Sequence, residues 1–476
     1  MGELGGAIVF FSLALFLAAV ALKLKKPADI LMSASLIAAP WWGGVWVGFI
    51  GLDLRLTHFF MFGALAMASK SKLKIRKKDK LSMSIIIPAS LLIIWLTFSS
   101  FQAHNQEQAM SGAAGIFLSV MFLVTIISVA RDFSNINYMI KSIGIGIIIT
   151  SIIALIQYKV HFFHIGFIDR DFTTFMFWRT RSTFHHANQY GTYQLLLLPL
   201  IFRQMVIEIK GKKKSSFYFF VFVFVLSLFT LYTTGNRGSW VGLVFGIGFT
   251  VMMDILHSSS KKTKKVLMRV VVLIFIMGVA FSARYGQRIY NRFYGKYESN
   301  YKDQMEHRKE LNTDAYRLIN THPYLGVGYK NYNYHKTTFI FTHNVYLLIM
   351  SEAGIIGFCF FIFTMIGFMR EALKIRKTPN FIISNLGNGL LATLLGLLLA
   401  SYVGPDFWIS DQVSSHLWIV AGVVIASKRI YQDYKYRYLK QQRSKGLRLD
   451  KKMQVPVESY TVNPQNKMIT RGFKNG

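Results

Sequence analysis

The chain has 476 residues, 53% of them hydrophobic, and a formal net charge of +33 from 55 Lys and Arg against 22 Asp and Glu. Apolar runs of about 20 residues follow one another along most of its length, which excludes an ordinary soluble globule and points to a polytopic membrane protein. A single cysteine, Cys359, excludes an internal disulfide framework.

Taken in chain order, apolar spans are predicted at 6–22, 28–50, 53–69, 82–101, 110–130, 138–157, 184–206, 217–234, 238–256, 267–283, 343–369, 384–403 and 412–427. The fold class is therefore all-α: a membrane helical bundle of about 12–13 transmembrane helices with a large extracytoplasmic loop. Residues 1–283 hold about ten of these helices and an outer loop at 158–183. Residues 284–342 form the large extracytoplasmic loop, 343–427 the last transmembrane helices, and 428–476 a basic cytoplasmic tail. The first span lacks a basic n-region and a small-residue cleavage site, so it reads as a retained helix. Most Lys and Arg fall in the turns at 23–27, 70–80, 131–141, 203–214, 261–269 and 370–377 and in the tail, which by the positive-inside rule places the N-terminus outside and the C-terminus inside. The tail, with Tyr431, Tyr434, Tyr436 and Tyr438 among its basic residues, is expected along anionic headgroups rather than on nucleic acid. Nearly all of the 12 histidines then fall on the outer side.

The two longer outer segments are rich in aromatic, Arg and His residues, and ordered long loops tend to carry function. Asp169-Arg170-Asp171 reads as loop solvation. Arg181 belongs with Arg179, His185, His186 and Asn188 to a crowded start of the 184–206 span, and adjacent helical histidines point about 100° apart, a poor metal pair. Arg237, in Thr234-Gly235-Asn236-Arg237-Gly238, is not demanded by the turn. It reads either as an interfacial arginine reaching to headgroups or as an anion clamp, where glycine-flanked N–H groups and a helix N-terminus favour phosphate. Arg284, Arg288 and Arg292 share one helical face and, with Arg308, offer further phosphate donors; solvation of a charged surface is the alternative. The segment His322-Pro323-Tyr324-Leu325-Gly326-Val327-Gly328 reads as a helix stop and chain reversal. His343 opens a long apolar helix, with Thr342 or Asn344 as its cap. It is a candidate proton acceptor at an attacking hydroxyl or an interfacial cap residue. Glu352, deeper in the same helix and about 180° from His343, is expected to pair with an arginine or a tyrosine hydroxyl.

Three of these motifs together resemble those of the bacterial O-antigen ligase/polymerase family, which includes teichuronic-acid polymerase-like members. Thr234-Gly235-Asn236-Arg237-Gly238 is similar to its Thr-Gly-Ser-Arg-Gly segment, Thr321 to Gly328 to its His-Pro-Leu-Leu-Gly-Val-Gly turn, and His343-Asn344-Val345-Tyr346-Leu347 with Glu352-Ala353-Gly354-Ile355-Ile356-Gly357 to its His-Asn-x-Tyr-Leu…Glu-x-Gly-x-x-Gly helix. Their order and spacing match over roughly residues 230–360. Arg181 to Asn188 resembles an upstream family segment less closely, with Ser182 in place of a glycine.

The resemblance implies glycosyl transfer from an undecaprenyl-pyrophosphate-linked oligosaccharide to an acceptor glycan at the outer face of the bacterial cytoplasmic membrane, without metal or other cofactor. It puts Arg237 and His343 in the essential positions. Arg181, Arg284, Arg288, Arg292, Arg308 and Asn344 become candidates for holding pyrophosphate or glycan. Trp178, Tyr324 and Tyr332 are candidates for stacking on sugars, and a flippase and a chain-length regulator are candidate partners alongside membrane lipids. Lysine- and isoleucine-rich usage suggests a Gram-positive source, which lacks a lipopolysaccharide core as acceptor and favours a polymerase over a ligase. A lipid-linked oligosaccharide flippase is the rival from another class. It would carry ionisable residues near mid-membrane, whereas here they gather at the outer side.

Overall fold

The computed structural model describes residues 15–24, 26–41, 44–47, 52–69, 83–160, 179–211, 214–257, 301–337 and 342–444, with isolated positions at 12 and 286. It is an all-α membrane bundle with one small β-hairpin. Among the described residues, nine helices are long and apolar enough to cross a membrane. The predicted spans at 6–22 and 267–283, the outer loop residues 161–178 and the residues 284–300 apart from 286 lie wholly or largely outside the described residues.

The predicted span 28–50 is not one helix. Helix α1 covers only Pro27–Ala38, with Pro27 at its first turn, where a missing N–H costs nothing. The chain then forms strands β1 (Gly44–Val47) and β2 (Leu52–Arg55), paired antiparallel with Gly44 opposite Arg55. Helix α2 (Leu56–Ser69) is likewise short. Long spans follow: α3 (Met83–Ser99), α4 (Gln106–Val129) and α5 (Phe133–Val160), then α6 (Ala187–Lys210), α7 (Lys214–Thr234) and α8 (Arg237–His257). After α9 (Tyr301–Thr321) and the single turn α10 (Tyr332–His335) come α11 (Val345–Arg376), α12 (Phe381–Ala400), the turn α13 (Asp406–Ile409) and α14 (Asp411–Ser444). Helix α14 continues well past 427, so the tail begins as an extension of the last span.

Helix α6 is the axis of the bundle and is buried nearly throughout. It runs antiparallel to α12, where the Thr393 hydroxyl donates to the Leu196 carbonyl at 2.9 Å. Helix α8 also lies against α12, at backbone contact. A Cβ on Gly242 would stand 2.5 Å from the Gly396 carbonyl oxygen, and one on Gly246 2.2 Å from that of Ala392. Small residues allow this approach, and close backbone packing is the main attraction between helices in lipid, where burial of apolar surface gives little. At the lysine-rich end, fully buried Arg203 pairs with Asp254 at 2.5 Å and Asn388 donates to the same carboxylate at 2.8 Å, locking α6, α8 and α12 together.

Helix α11 is broken. Gly354 has φ 65° and ψ −177°, and the turn after α9 fills the break. The Val327 N–H donates to the Ser351 carbonyl and the Gly328 N–H to that of Glu352, both at 2.9 Å, while the Ile355 N–H donates to Pro323 O at 2.8 Å. Gly326 and Gly328 adopt φ 70° and 96° to make this docking. Glu352 is buried here, and its partners are the Trp408 indole N–H at 2.8 Å and the Tyr332 backbone N–H at 3.4 Å. The expected arginine or tyrosine-hydroxyl partner is therefore replaced by an indole from α13, which packs beside α11.

Candidate functional site

Three helix N-termini meet at one end of the bundle. Because α12 runs antiparallel to α6, α8 and α11, the starts of all three lie beside its C-terminal end. The Val345 N–H donates to the Ser401 carbonyl at 2.9 Å and the Tyr346 hydroxyl to that of Leu398 at 2.7 Å, fixing the start of α11 there. The start of α8 is tied to that of α6 by the Asn236 amide, which donates to the Asn188 carbonyl at 2.9 Å. Each N-terminus carries the positive end of its helix dipole, about half a positive charge. Their convergence favours an anion.

Side chains sharpen that preference. Gly235, at φ 63°, ends α7, and Asn236 then caps α8 by accepting the Ser239 N–H at 3.1 Å. Asn236 thus both caps α8 and bridges it to α6. Gly191 makes room for it, since a Cβ there would stand 2.8 Å from the Asn236 Cβ. Arg237 follows as the first residue of α8, half-buried at the convergence. Arg179 donates from Nε to the Thr234 carbonyl at 2.6 Å and from Nη2 to Asn188 Oδ1, and its charge acts on Asp406. Asp406 lines a small polar recess with Thr192, Asn236, Ser239 and Ser401. Burial raises its carboxyl to about 7 against the pull of Arg179.

His186 caps α6 by accepting the Asn188 N–H on Nδ1 at 3.2 Å, which requires a neutral ring nitrogen. Its ring opens to solvent yet sits among many protein atoms. That desolvation, then the charges of Arg179, His343 and Arg181, holds its imidazole down at about 4. His343 therefore lies within electrostatic reach of His186, half-buried just before α11.

The fate of the other candidates is mixed. Asn344 is the cap of α11, its Oδ1 accepting the N–H groups of Tyr346 at 2.9 Å and Leu347 at 3.3 Å, so its side chain is committed to the helix. Thr342 instead donates to Asn312 Oδ1 on α9 at 2.8 Å. Arg181 reaches the convergence but donates to the carbonyl of His185 at 2.9 Å. Ser182 has φ 54°, a left-handed conformation that explains a glycine at the corresponding family position. Arg284, Arg288, Arg292, Trp178 and the side chain of Arg308 lie outside the described residues. Tyr332 is buried, with its hydroxyl turned to the Leu311 carbonyl, and offers no ring to a sugar, whereas Tyr324 is 69% exposed. Sequence reasoning missed Asp406 entirely and noted Arg179 only as one of a crowd. The available signal for Asp406 was an acid in a Gly-Pro turn followed by two aromatic residues.

The fold defines a multi-pass membrane protein, one end of which gathers helix N-termini, arginines and a histidine. The family described as O-antigen ligase matches the chain over residues 222–362, from within α7 to the middle of α11, which supports the resemblance to the O-antigen ligase/polymerase family. The matched segment contains Arg237, the docking turn, His343 and the break at Gly354. No curated protein matches the chain.

Proposed function

We propose that the protein is a glycosyltransferase of the bacterial cytoplasmic membrane that polymerises undecaprenyl-pyrophosphate-linked repeat units of a surface polysaccharide at the outer leaflet. The observation that carries this reading is the convergence of three helix N-termini with Arg179, Arg237 and His343, an arrangement suited to a pyrophosphate beside a proton-accepting group. In the reaction, an acceptor hydroxyl oxygen attacks the anomeric carbon of the donor. The glycosidic carbon–phosphate oxygen bond breaks, and the polyprenyl pyrophosphate departs with the electron pair. Pyrophosphate is already a good leaving group, so the site needs mainly to position the reactants and neutralise charge. Arg237 holds the pyrophosphate oxygens through its planar fork, Arg179 adds positive charge beside it while bracing Thr234 and Asn188, and His343 orients the hydroxyl or takes its proton.

The test is gel profiling of surface polysaccharide from cells deleted for the protein and complemented with wild type, His343→Ala or Arg237→Lys. Single repeat units accumulating on lipid, rescued by wild type and by neither variant, is the expected result. Lysine keeps the charge but loses the fork, so full rescue by Arg237→Lys would remove the clamp from the mechanism. Full-length chains stranded on lipid would instead identify a ligase, and normal polymer from His343→Ala would return the reading to a transporter.

A further inference from the structure

A second cluster of chemistry-bearing side chains stands apart from the helix N-termini. His104, in the loop before α4, packs on Tyr334 of α10 in a tilted pair with ring centroids 5.0 Å apart and lies 6.1 Å from His335. His335 in turn lies 6.2 Å from His322, at the end of α9. Three imidazoles and a phenol from three separate elements thus form one strip, and exposed Tyr324 follows His322 by two residues in the chain. The Tyr334 ring is 46% exposed, and His104 and His322 are exposed as well. The loop is built to hold the strip in place. The Asn105 N–H donates to Asn331 Oδ1 at 2.7 Å, the Asn331 amide donates back to the Asn105 carbonyl at 3.1 Å, and the Tyr334 hydroxyl accepts from Asn105 and donates to Gln108 at 3.0 Å. These contacts tie the start of α4 to α10 and none of them reaches the N-terminal convergence.

We infer that this strip is a saccharide-binding subsite that holds the glycan chain away from the reacting bond. The inference rests on the reading of the protein as a glycan polymerase. Two features point to a saccharide. Exposed flat rings offer apolar faces to the C–H side of a pyranose, while the imidazole edges of His104 and His322 and the Gln108 amide N–H groups offer donors and acceptors to its hydroxyls. The strip is also continuous with the candidate active site through α9. Asn312 of that helix is bonded to Thr342, next to His343, and His322 lies about 15 Å further along the helix, a distance that a short oligosaccharide bridges. A lipid-facing aromatic belt would place Trp and Tyr at a helix end among apolar neighbours. Here the rings stand among amides and imidazoles on connecting segments.

The experiment uses the full chain in lipid nanodiscs and, as probe, fluorescently labelled oligosaccharides released from the surface polysaccharide of the wild-type-complemented cells. Tyr334→Ala with His104→Ala is expected to weaken binding about tenfold, the loss of roughly one aromatic contact and its hydrogen bonds. Tyr334→Phe keeps the ring and should bind within a few-fold of wild type, which separates ring stacking from misfolding. The same double variant is expected to shorten the polymer in cells while still making it. His343→Ala should bind the probe normally, so a failure of the active-site reading and a failure of the subsite give different results. Unchanged binding and unchanged polymer length in the double variant would overturn the subsite and leave the strip as an interfacial aromatic belt.

Discussion

Replacing Gly354 by alanine tests whether the broken helix is the hinge on which the candidate site is set. The glycine sits at φ 65° and ψ −177°, a conformation essentially closed to residues with a side chain, and forcing alanine into it costs about 1–3 kcal/mol. A Cβ at this position would also stand 2.0 Å from the Tyr324 carbonyl oxygen, so the docked turn must withdraw. Withdrawal breaks the three backbone hydrogen bonds donated by Val327, Gly328 and Ile355, each contributing on the order of 1 kcal/mol net. The combined loss is about 4–6 kcal/mol, a large fraction of the stability of an ordinary domain. Thermal unfolding of the purified protein in detergent, with polymer formation in complemented cells, is the assay. Gly248→Ala is the matched control, because a Cβ there meets nothing within 4 Å. Gly354→Ala should lower the unfolding temperature strongly and abolish polymer, while Gly248→Ala should leave both unchanged or slightly improve stability. If Gly354→Ala unfolds and polymerises like the control, the turn does not brace α11 and the argument fails.

Two further outcomes follow from the same end of the molecule. Glu352→Ala should destabilise by about 1–3 kcal/mol by leaving the buried Trp408 indole N–H unpaired, whereas Glu352→Gln, which keeps a carbonyl oxygen for that donor, should cost less. Equal unfolding temperatures for the two would show that the indole bond is not the source. Asp406 keeps its proton in the folded protein up to about 7, while the unfolded chain releases it near the ordinary value of 3.8, so its contribution to stability is full below that value and is lost as the pH rises towards 7. The unfolding temperature of the wild type should therefore fall relative to Asp406→Asn between about pH 4 and pH 7, and parallel profiles would refute the burial argument.

Much of the fold is legible in the chain because lipid leaves few alternatives to the helix: the long apolar runs from 82 to 256 and at 384–403 become helices within a few residues of their predicted limits, while the helix begun at 412–427 runs on to Ser444. The hairpin at 44–55 was not legible, since a short apolar run reads equally as buried helix or strand, and hydropathy alone joined Gly44–Val47 to the helix before it. The break at Gly354 was hidden for a different reason. Apolar residues continue through it without interruption, and the glycine acquires its meaning only from a turn some thirty residues earlier in the chain. At the site, Arg237 and His343 could be singled out because a turn or a cap does not require them. Asn344 and Arg181 carry equally suggestive side chains, but their hydrogen bonds go to their own backbone surroundings. Asp406 could not be found by spacing, because what marks it is burial next to Arg179, a residue more than two hundred positions away.

The motifs shared with the O-antigen ligase family thus divide by task. In the proposed reaction Arg237 and His343 supply the chemistry, while the turn from His322 to Gly328 and the segment from Glu352 to Gly357 are two halves of one mechanical joint. The joint separates α11 into a short first section and a long second one. The first section is fixed to α12 through Val345 and Tyr346 and packs on α9, where Ser351 donates to the Ala315 carbonyl at 3.3 Å. The second packs on α3, with Gly367 against the Ser84 carbonyl and Trp95 donating to Ala353 at the joint itself. A continuous helix would make the position of its N-terminus depend on every contact along its membrane length. With the break, the direction of the first section is set locally, by the turn, α9 and α12. That is what a site built from converging helix N-termini requires, because the field of a helix end falls off within about one turn and a small misalignment would move it off the phosphate.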